Sequence, residues 1–599
     1  MLDHNNPQAM RLSLLREKMR GDGFDGLIVP RFDAHMAEYV APCDQRLAWA
    51  TGFTGSAGVA VITMDEAVLF IDGRYTVQAA EQCPAELFTF RHLHDEPLAD
   101  WLRGLKASNK VFGFDPMHVS LKWHAEWTEA AQQSHNSLVA TNNNLIDALW
   151  LDQPTPSKAQ ARAFTEELCG ETSSSKRDRI ANELRTAKAD VLVENQPDNI
   201  AWLLNIRGDD IAFNPFVNSF LTIDHDGTTN WYVAQEKVPQ DLSAFELDGV
   251  QVRNPASFLS DLESQSQSGK TFSVDPAMGA VAVQFAVGDE KQLVKQASPI
   301  TLAKAKKNQT ELQGMRDCHV QDGIAWLKFL YWLEENVQSR FDAGRPITEM
   351  ETVEKITAFR QELPGFEQPS FDVIAGAGPN GAMCHYKVTK ESNSVLDPSA
   401  VYLHDSGGQF TSGTTDATRT FIFKSQSTAF CENYTAVLKG LIAVNSLKFP
   451  PKTYGHHIDA LARAPLWAID KDFDHGTGHG VGHNLSVHEQ PQRIGRAINE
   501  IGLVPGMILT IEPGYYVAGE YGIRIENLAE ILEEPSGFLT FRSMTLIPID
   551  VGPILVEMLT DTELTWLNQY HQRVRTTLEP LVPGEMVHYL HRVTAPLSR

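Results

Sequence analysis

The chain has 599 residues, and 51 basic against 76 acidic side chains leave a formal charge of -25. That balance argues against nucleic acid or anionic membrane as the main partner, because both attract positive surfaces; a local cationic site is still allowed. With 42% hydrophobic residues the chain is neither disordered nor collagen-like, and ~100–200 residues per domain predicts three or four domains.

In chain order, residues 1–20 read as an amphipathic helix with Leu12, Leu15 and Met19 on one face. They lack the apolar core and small-residue cleavage site of a secretory leader. No apolar run approaches the ~20 residues of a membrane helix. Cys43, Cys83, Cys169, Cys318, Cys384 and Cys431 include no CxxC pair and read as isolated buried thiols in a reducing compartment. The expectation is a soluble cytoplasmic protein.

A helix-then-strand unit then recurs. Arg11–Arg16 leads into Asp25–Pro30, and Arg179–Arg185 leads into Asp190–Glu194. Each copy continues with an Ala-Trp pair, Ala48-Trp49 and Ala201-Trp202, and then an apolar strand, Gly58–Thr63 and Ser219–Ile223. This predicts two similar α/β domains over 1–150 and 151–305, against chance similarity of two ordinary α/β segments. The prolines of Asp152-Gln-Pro-Thr-Pro-Ser157 disfavour a continuous helix and mark the linker. Beyond Lys304-Ala-Lys-Lys-Asn308, the spacing of Leu312, Met315, Ile324, Leu327 and Leu330 predicts a long helix from Glu311 to about Asn336. It opens a third domain over 306–535, with short Gly-broken β runs at 375–425 and 500–550. A helical extension, 536–599, carries Leu564, Trp566, Leu567 and Tyr570.

Three stretches of the third domain carry chemistry. Val401–Gly408 and Thr414–Phe423 read as strand, Gly-rich turn and strand, which can bring Asp405 beside Asp416. Two adjacent carboxylates raise each other's pKa unless a cation lies between them; the alternative is a pair of turn-capping aspartates. His475-Gly-Thr-Gly-His479-Gly-Val-Gly-His483, with His488 beyond, is too glycine-rich for a regular helix. It lets the backbone turn closely around something with imidazoles pointing in, and His483 is the member read first as structural. In Thr510-Ile-Glu512-Pro-Gly-Tyr-Tyr and Gly522-Ile-Arg524-Ile-Glu526-Asn527, strand alternation puts Arg524 and Glu526 on one face. Their acids need a partner if buried; an Arg524–Glu526 or Arg524–Glu512 ion pair is the alternative. Bridging carboxylates with one imidazole suit two divalent ions better than a structural zinc, and the HExxH pattern is missing after His488-Glu489. The chemistry implied is metal-assisted hydrolysis.

As a set, these motifs resemble the pita-bread metallopeptidases, and within them the three-domain aminopeptidase P group, which cleaves Xaa-Pro bonds. Tyr39–Arg46, Gly52–Gly58, Asp72-Gly-Arg74-Tyr75 and Pro548-Ile-Asp-Val carry the resemblance outside the catalytic motifs. It implies two creatinase-like α/β domains, then a pita-bread catalytic domain with a C-terminal extension. It implies Asp405, Asp416, His479, Glu512 and Glu526 as ligands of two divalent metal ions, manganese foremost, with cobalt, iron or zinc also accepted. Glu512 would also shuttle protons, His385 and His488 would bind substrate and stabilise the tetrahedral intermediate, and His475 would shape the pocket. Arg524 would orient the ligands near the substrate chain, and Arg74 would reach substrate from the first domain.

The activity so implied is hydrolysis of the N-terminal Xaa-Pro bond of peptides by a dinuclear metal-bound hydroxide. An Xaa-Pro bond has no N–H, and such a nucleophile needs none. A homodimer with Trp467 at its contact is expected from the same resemblance, with no nucleic acid and no membrane as partner. The alternatives are prolidase, which takes only dipeptides, and a non-catalytic peptide-binding module. Methionine aminopeptidases are usually shorter, and creatinase lacks these metal carboxylates.

Overall fold

In the computed structural model, which describes residues 6–106 and 109–599, helix α1 (Pro7–Asp22) starts where the Asn6 side chain accepts from the backbone N–H of Gln8 and Ala9. It stops at Gly23, whose φ of 80° suits a residue without a Cβ. Ala9, Leu12, Leu15 and Met19 form its buried stripe. The first five residues of the predicted N-terminal helix lie outside the described residues.

The chain divides into two compact units, Met1–Thr301 and Leu302–Arg599. The first holds two six-stranded sheets. One consists of β1 (Gly26–Pro30), β2 (Gly58–Thr63), β3 (Ala67–Ile71), β4 (Thr89–His92), β5 (Val111–Phe114) and β6 (Ser137–Ala140), in the order β4-β3-β2-β1-β5-β6. The other consists of β7 (Val191–Glu194), β8 (Phe220–Asp224), β9 (Thr229–Tyr232), β10 (Val250–Arg253), β11 (Phe272–Val274) and β12 (Leu293–Lys295). Its order, β10-β9-β8-β7-β11-β12, repeats the first. Both central strands, β1 and β7, pair antiparallel on one side and parallel on the other. The recurring sequence unit is therefore a recurring topology. The two halves, joined through the proline-rich stretch near 152, are also hydrogen-bonded to each other: Leu121 N–H donates to Gly279 O at 3.1 Å and Lys122 N–H to Pro276 O at 2.7 Å.

The second unit opens with α2 (Gln309–Asp342), longer at both ends than the sequence reading. A reciprocal capping box between Asn308 and Glu311 fixes its start. Strands β13 (Ile374–Ala377), β14 (Val401–Ser406) and β15 (Ala417–Ile422) form one antiparallel sheet. A six-stranded sheet contains β16 (Gly478–Gly480), β17 (Glu489–Ile494), β18 (Ile508–Ile511) and β19 (Asn527–Glu533). Helix α3 (Asp561–Leu578) of the tail is tied to both sheets by Arg419. This buried guanidinium donates to Tyr570 Oη at 2.9 Å and to the carbonyls of Ile547 and Pro548, and its Nη1 reaches Glu526 O at 2.6 Å. Among the described residues no helix is long and apolar enough to cross a membrane.

Candidate metal centre

Five of the residues singled out from sequence sit where the two catalytic sheets meet. Asp405 lies in β14 opposite Thr418 of β15, and Asp416 immediately precedes β15. His479 is the middle residue of β16, Glu512 follows β18, and Glu526 precedes β19. Backbone bonds fix the acidic pair: Glu512 N–H donates to Thr477 O at 2.8 Å and Glu526 N–H to Thr418 O at 3.1 Å. The glycines around His479 serve strand packing rather than a loop wrapped around a ligand. A Cβ on Gly478 would strike the Thr510 carbonyl, and one on Gly480 would strike the Glu489 carbonyl.

Ligand-capable atoms of Asp416, His479 and Glu526 all lie within 4.8 Å of one another. His479 Nδ1 donates to Gly480 O at 2.9 Å, which leaves the Nε2 lone pair facing Asp416 Oδ2 and Glu512 Oε1, each at 3.6 Å. The imidazole lone pair thus faces two carboxylates. Asp405 Oδ1 is buried without a hydrogen bond. Burial pushes Asp416 well above the ordinary carboxylate range, and the charges of Glu526, Asp405 and Glu512 push it further. Glu526 is raised by burial and by the charges of Glu512 and Asp405. Burial, with Asp405 nearby, lifts Glu512 to about 7 against the pull of Arg524. Carboxylates packed this way with an imidazole lone pair are stabilised by cations between them, so the donor set fits divalent metal ions.

Arg524 departs from both ion pairs offered by the sequence. Its Nη2 donates to Asp405 Oδ2 at 2.6 Å, and its Nε donates to Thr418 Oγ1 at 3.0 Å. The reason is local: the strand Tyr521–Arg524 ends at Arg524, so alternation does not carry on to Glu526. Glu526 instead accepts from Thr418 Oγ1 at 2.7 Å. His475 Nδ1 donates to Gly476 O, and its Nε2 accepts from the Tyr516 hydroxyl at 2.8 Å. Tyr516 Oη in turn accepts from Arg524 Nη1 at 2.8 Å. His488 packs edge-on against His479, ring centroids 4.4 Å apart. His385 lies in a turn beyond Gly378–Ala382, and His483 is buried. Arg74, in the first unit, forms a 2.7 Å ion pair with Asp72; this is the local pairing its sequence spacing allows.

Tyr516 and Thr418 escaped assignment although both stand inside the motifs. Glu349 had no sequence signal. It starts helix Glu349–Gln361 and accepts from Ala377 N–H, Ser394 N–H, Asn380 Nδ2 and the Tyr386 hydroxyl, at 2.7–3.0 Å, which pins the loop carrying His385.

Known families match this chain in four stretches. The Creatinase/Prolidase N-terminal domain matches twice, over residues 11–149 and 152–311. Metallopeptidase family M24 matches residues 313–533, and the C-terminal region of peptidase M24 matches 537–597. A probable Xaa-Pro aminopeptidase P of Neurospora crassa is 38% identical, over 98% of this chain and 89% of its own length. The chain belongs to metallopeptidase family M24, among its aminopeptidase P members. The probable Xaa-Pro aminopeptidase P of Sordaria macrospora is 37% identical over 98% of this chain and 99% of its own. The crystal structure of an X-prolyl aminopeptidase from Caenorhabditis elegans, described as a cytosolic enzyme with a di-nuclear active site, superposes with a TM-score of 0.94. It is 32% identical and covers 98% of this chain and 100% of its own. The architecture of this M24 member is accordingly two creatinase-type α/β domains, a pita-bread catalytic domain and a C-terminal helical extension.

Proposed function

We propose that this M24 member removes the N-terminal residue from peptides with proline in second place. The observation that carries the reading is the convergence of Asp416, His479 and Glu526 within 4.8 Å, with Glu512 3.6 Å from the same imidazole. Asp405, Asp416, His479, Glu512 and Glu526 hold two divalent ions, manganese foremost. When bound, such a pair supplies a nucleophilic water at neutral pH and a Lewis acid for the scissile carbonyl.

The chain's own residues do the rest. Glu512 accepts a proton from the attacking water and passes it to the departing proline nitrogen. His488 and His385 donate hydrogen bonds to the oxygen on which negative charge develops. Arg524 holds Asp405 in place through its 2.6 Å bond, and with Tyr516 it fixes His475 at the pocket wall. Arg74 binds the substrate chain beyond the proline. The proposal includes a cytoplasmic homodimer with Trp467, 47% exposed, at its contact. It also includes four domains, over 1–150, 151–305, 306–535 and 536–599.

The test is a peptide panel with and without proline second, including Xaa-Pro dipeptides, run after metal stripping and after add-back of manganese, cobalt, iron or zinc. Cleavage of Xaa-Pro-Yaa restored by metal is expected. Cleavage of dipeptides alone would make the enzyme a prolidase, and no cleavage with full metal would make it a binding module.

A further inference from the structure

The lysines of Lys304-Ala-Lys-Lys-Asn308, which mark the start of the catalytic half in sequence, have a place in the fold that the proposed chemistry does not use. Lys304 and Lys307 are 2% and 5% exposed, whereas Lys306 between them points to solvent. Both buried ammonium groups converge on one carboxylate, Glu489, which is itself 2% exposed. Lys307 Nζ pairs closely with Glu489 Oε1, and Lys304 Nζ lies 3.7 Å from Oε2. The lysine end is fixed too, since Lys307 N–H donates to Gly506 O at 3.0 Å. A buried ion pair of this kind contributes little net stability, because desolvation offsets attraction, but it fixes geometry, and removing one partner leaves a buried charge exposed to low dielectric.

Glu489 is a revealing place for such an anchor. It directly follows His488, whose ring packs on His479 at 4.4 Å. It is also the first residue of β17 and pairs across the ladder with Gly480, the neighbour of His479. The pairing is irregular there, because the register shifts between His479 and Gly480. The backbone carrying both imidazoles therefore leaves regular strand geometry at this point, and a clamp outside the ladder can set its position.

We propose that the Lys304–Glu489–Lys307 cluster is a positioning device for His488: it fixes the start of β17 so that the imidazole stands at the angle needed to donate to substrate. The proposal rests on the reading that His488 acts on substrate. The three residues touch no reacting atom.

The test uses the full chain loaded with manganese and an Xaa-Pro-Yaa tripeptide. Lys307→Met and, as a surface control, Lys306→Met are made alone and together with His488→Ala; kcat, KM, bound metal and Tm are measured. Lys307→Met should lower kcat about tenfold, with KM changed less than twofold and bound metal unchanged, while Lys306→Met changes neither constant. In the His488→Ala background, Lys307→Met should cost less than twofold in kcat, because the group it positions is gone. Equal losses of kcat in both backgrounds, or loss of metal, would overturn the proposal and leave the cluster a stabilising pair. If His488→Ala alone leaves kcat intact, the His488 reading fails and the proposal fails with it. Should Lys307→Met not fold, Lys304→Met removes the longer contact and enters the same cycle with the same outcomes.

Discussion

Two buried acidic sites, one in each unit, start from the same physics and end differently. In the first unit Glu194, 3% exposed, is raised by burial to about 7. It is answered by protein donors: Asn195 N–H and Gln196 N–H reach Oε1 at 3.1 and 3.0 Å, and Asn199 Nδ2 and Ser298 Oγ reach Oε2 at 2.9 and 2.7 Å. In the second unit Asp416 and Glu526 are also raised by burial, but there the charges of neighbouring carboxylates raise them further, against the smaller pull of Arg524. A satisfied buried acid ties elements together. A crowd of acids around one imidazole lone pair is a binding site for cations. Burial alone does not separate structure from function; the identity of the neighbours does.

The largest expected effect breaks the comparison at its metal side. Asp416→Ala should empty at least one metal site and lower kcat/KM by on the order of 10³-fold or more, matching the several kcal/mol that a bound ion supplies to a charged transition state. Metal analysis and peptide kinetics decide it; full occupancy with full activity would sink the five-ligand assignment. The next effect separates ligand from donor. His488→Ala should keep its metals and lose roughly 10²–10³ in turnover, the size of one lost oxyanion donor. A variant that loses its metals instead would place His488 among the ligands.

Glu194 sharpens the other side of the comparison. Burial pushes its carboxyl up to about 7 from an ordinary 4.5. Between those values the folded state binds more protons than the unfolded one. Its contribution is therefore fully favourable below about pH 4.5, falls as pH rises and levels off above about pH 7. The drop is on the order of 3 kcal/mol at ~1.4 kcal/mol per unit. Denaturant unfolding from pH 4.5 to 8 should show a weaker pH dependence in Glu194→Gln than in the parent chain. The same slope in both would mean that Glu194 is already ionised in the fold.

Much of this was legible in the sequence because the informative residues are close in the chain. The helix-strand repeat, the long helix after Asn308 and the tail helix announce themselves through periodicity and caps. The catalytic motifs put Asp405 in one strand and Asp416 just before its neighbour, so proximity could be read from turn length. What stayed hidden depends on contacts between distant positions. Arg524 finds Asp405 119 positions away, and Lys307 finds Glu489 182 positions away. No local pattern encodes either. Alternation failed after Arg524 because the strand ends there. Glycine content near His479 suggests a backbone turning around a ligand, but these residues are small because the Thr510 and Glu489 carbonyls crowd them.

The smallest effect asks whether the first unit contributes to chemistry at all, or only to architecture as Glu194 does. Arg74 is its test residue. Its Nε and Nη2 face Asp72, with Nη2 2.7 Å from Oδ2, and the side chain is 26% exposed. As a purely local pair this interaction is worth ~0–1 kcal/mol, and its loss should leave turnover of every peptide alone or change all of them together. Yet Asp72 also holds the guanidinium plane in one orientation, and a planar fork held still suits bidentate recognition of carbonyls or a carboxylate far better than a mobile ammonium does. Should that fork bind substrate beyond the proline, Arg74→Ala should cut kcat/KM for longer peptides about tenfold, in keeping with the ~1.5–3 kcal/mol of a charge-assisted hydrogen bond, and leave the shortest ones within twofold. Arg74→Lys, which keeps the charge and loses the fork, should recover little of the difference. A uniform change across peptide lengths would return Arg74 to the local pair and confine the chemistry to the second unit.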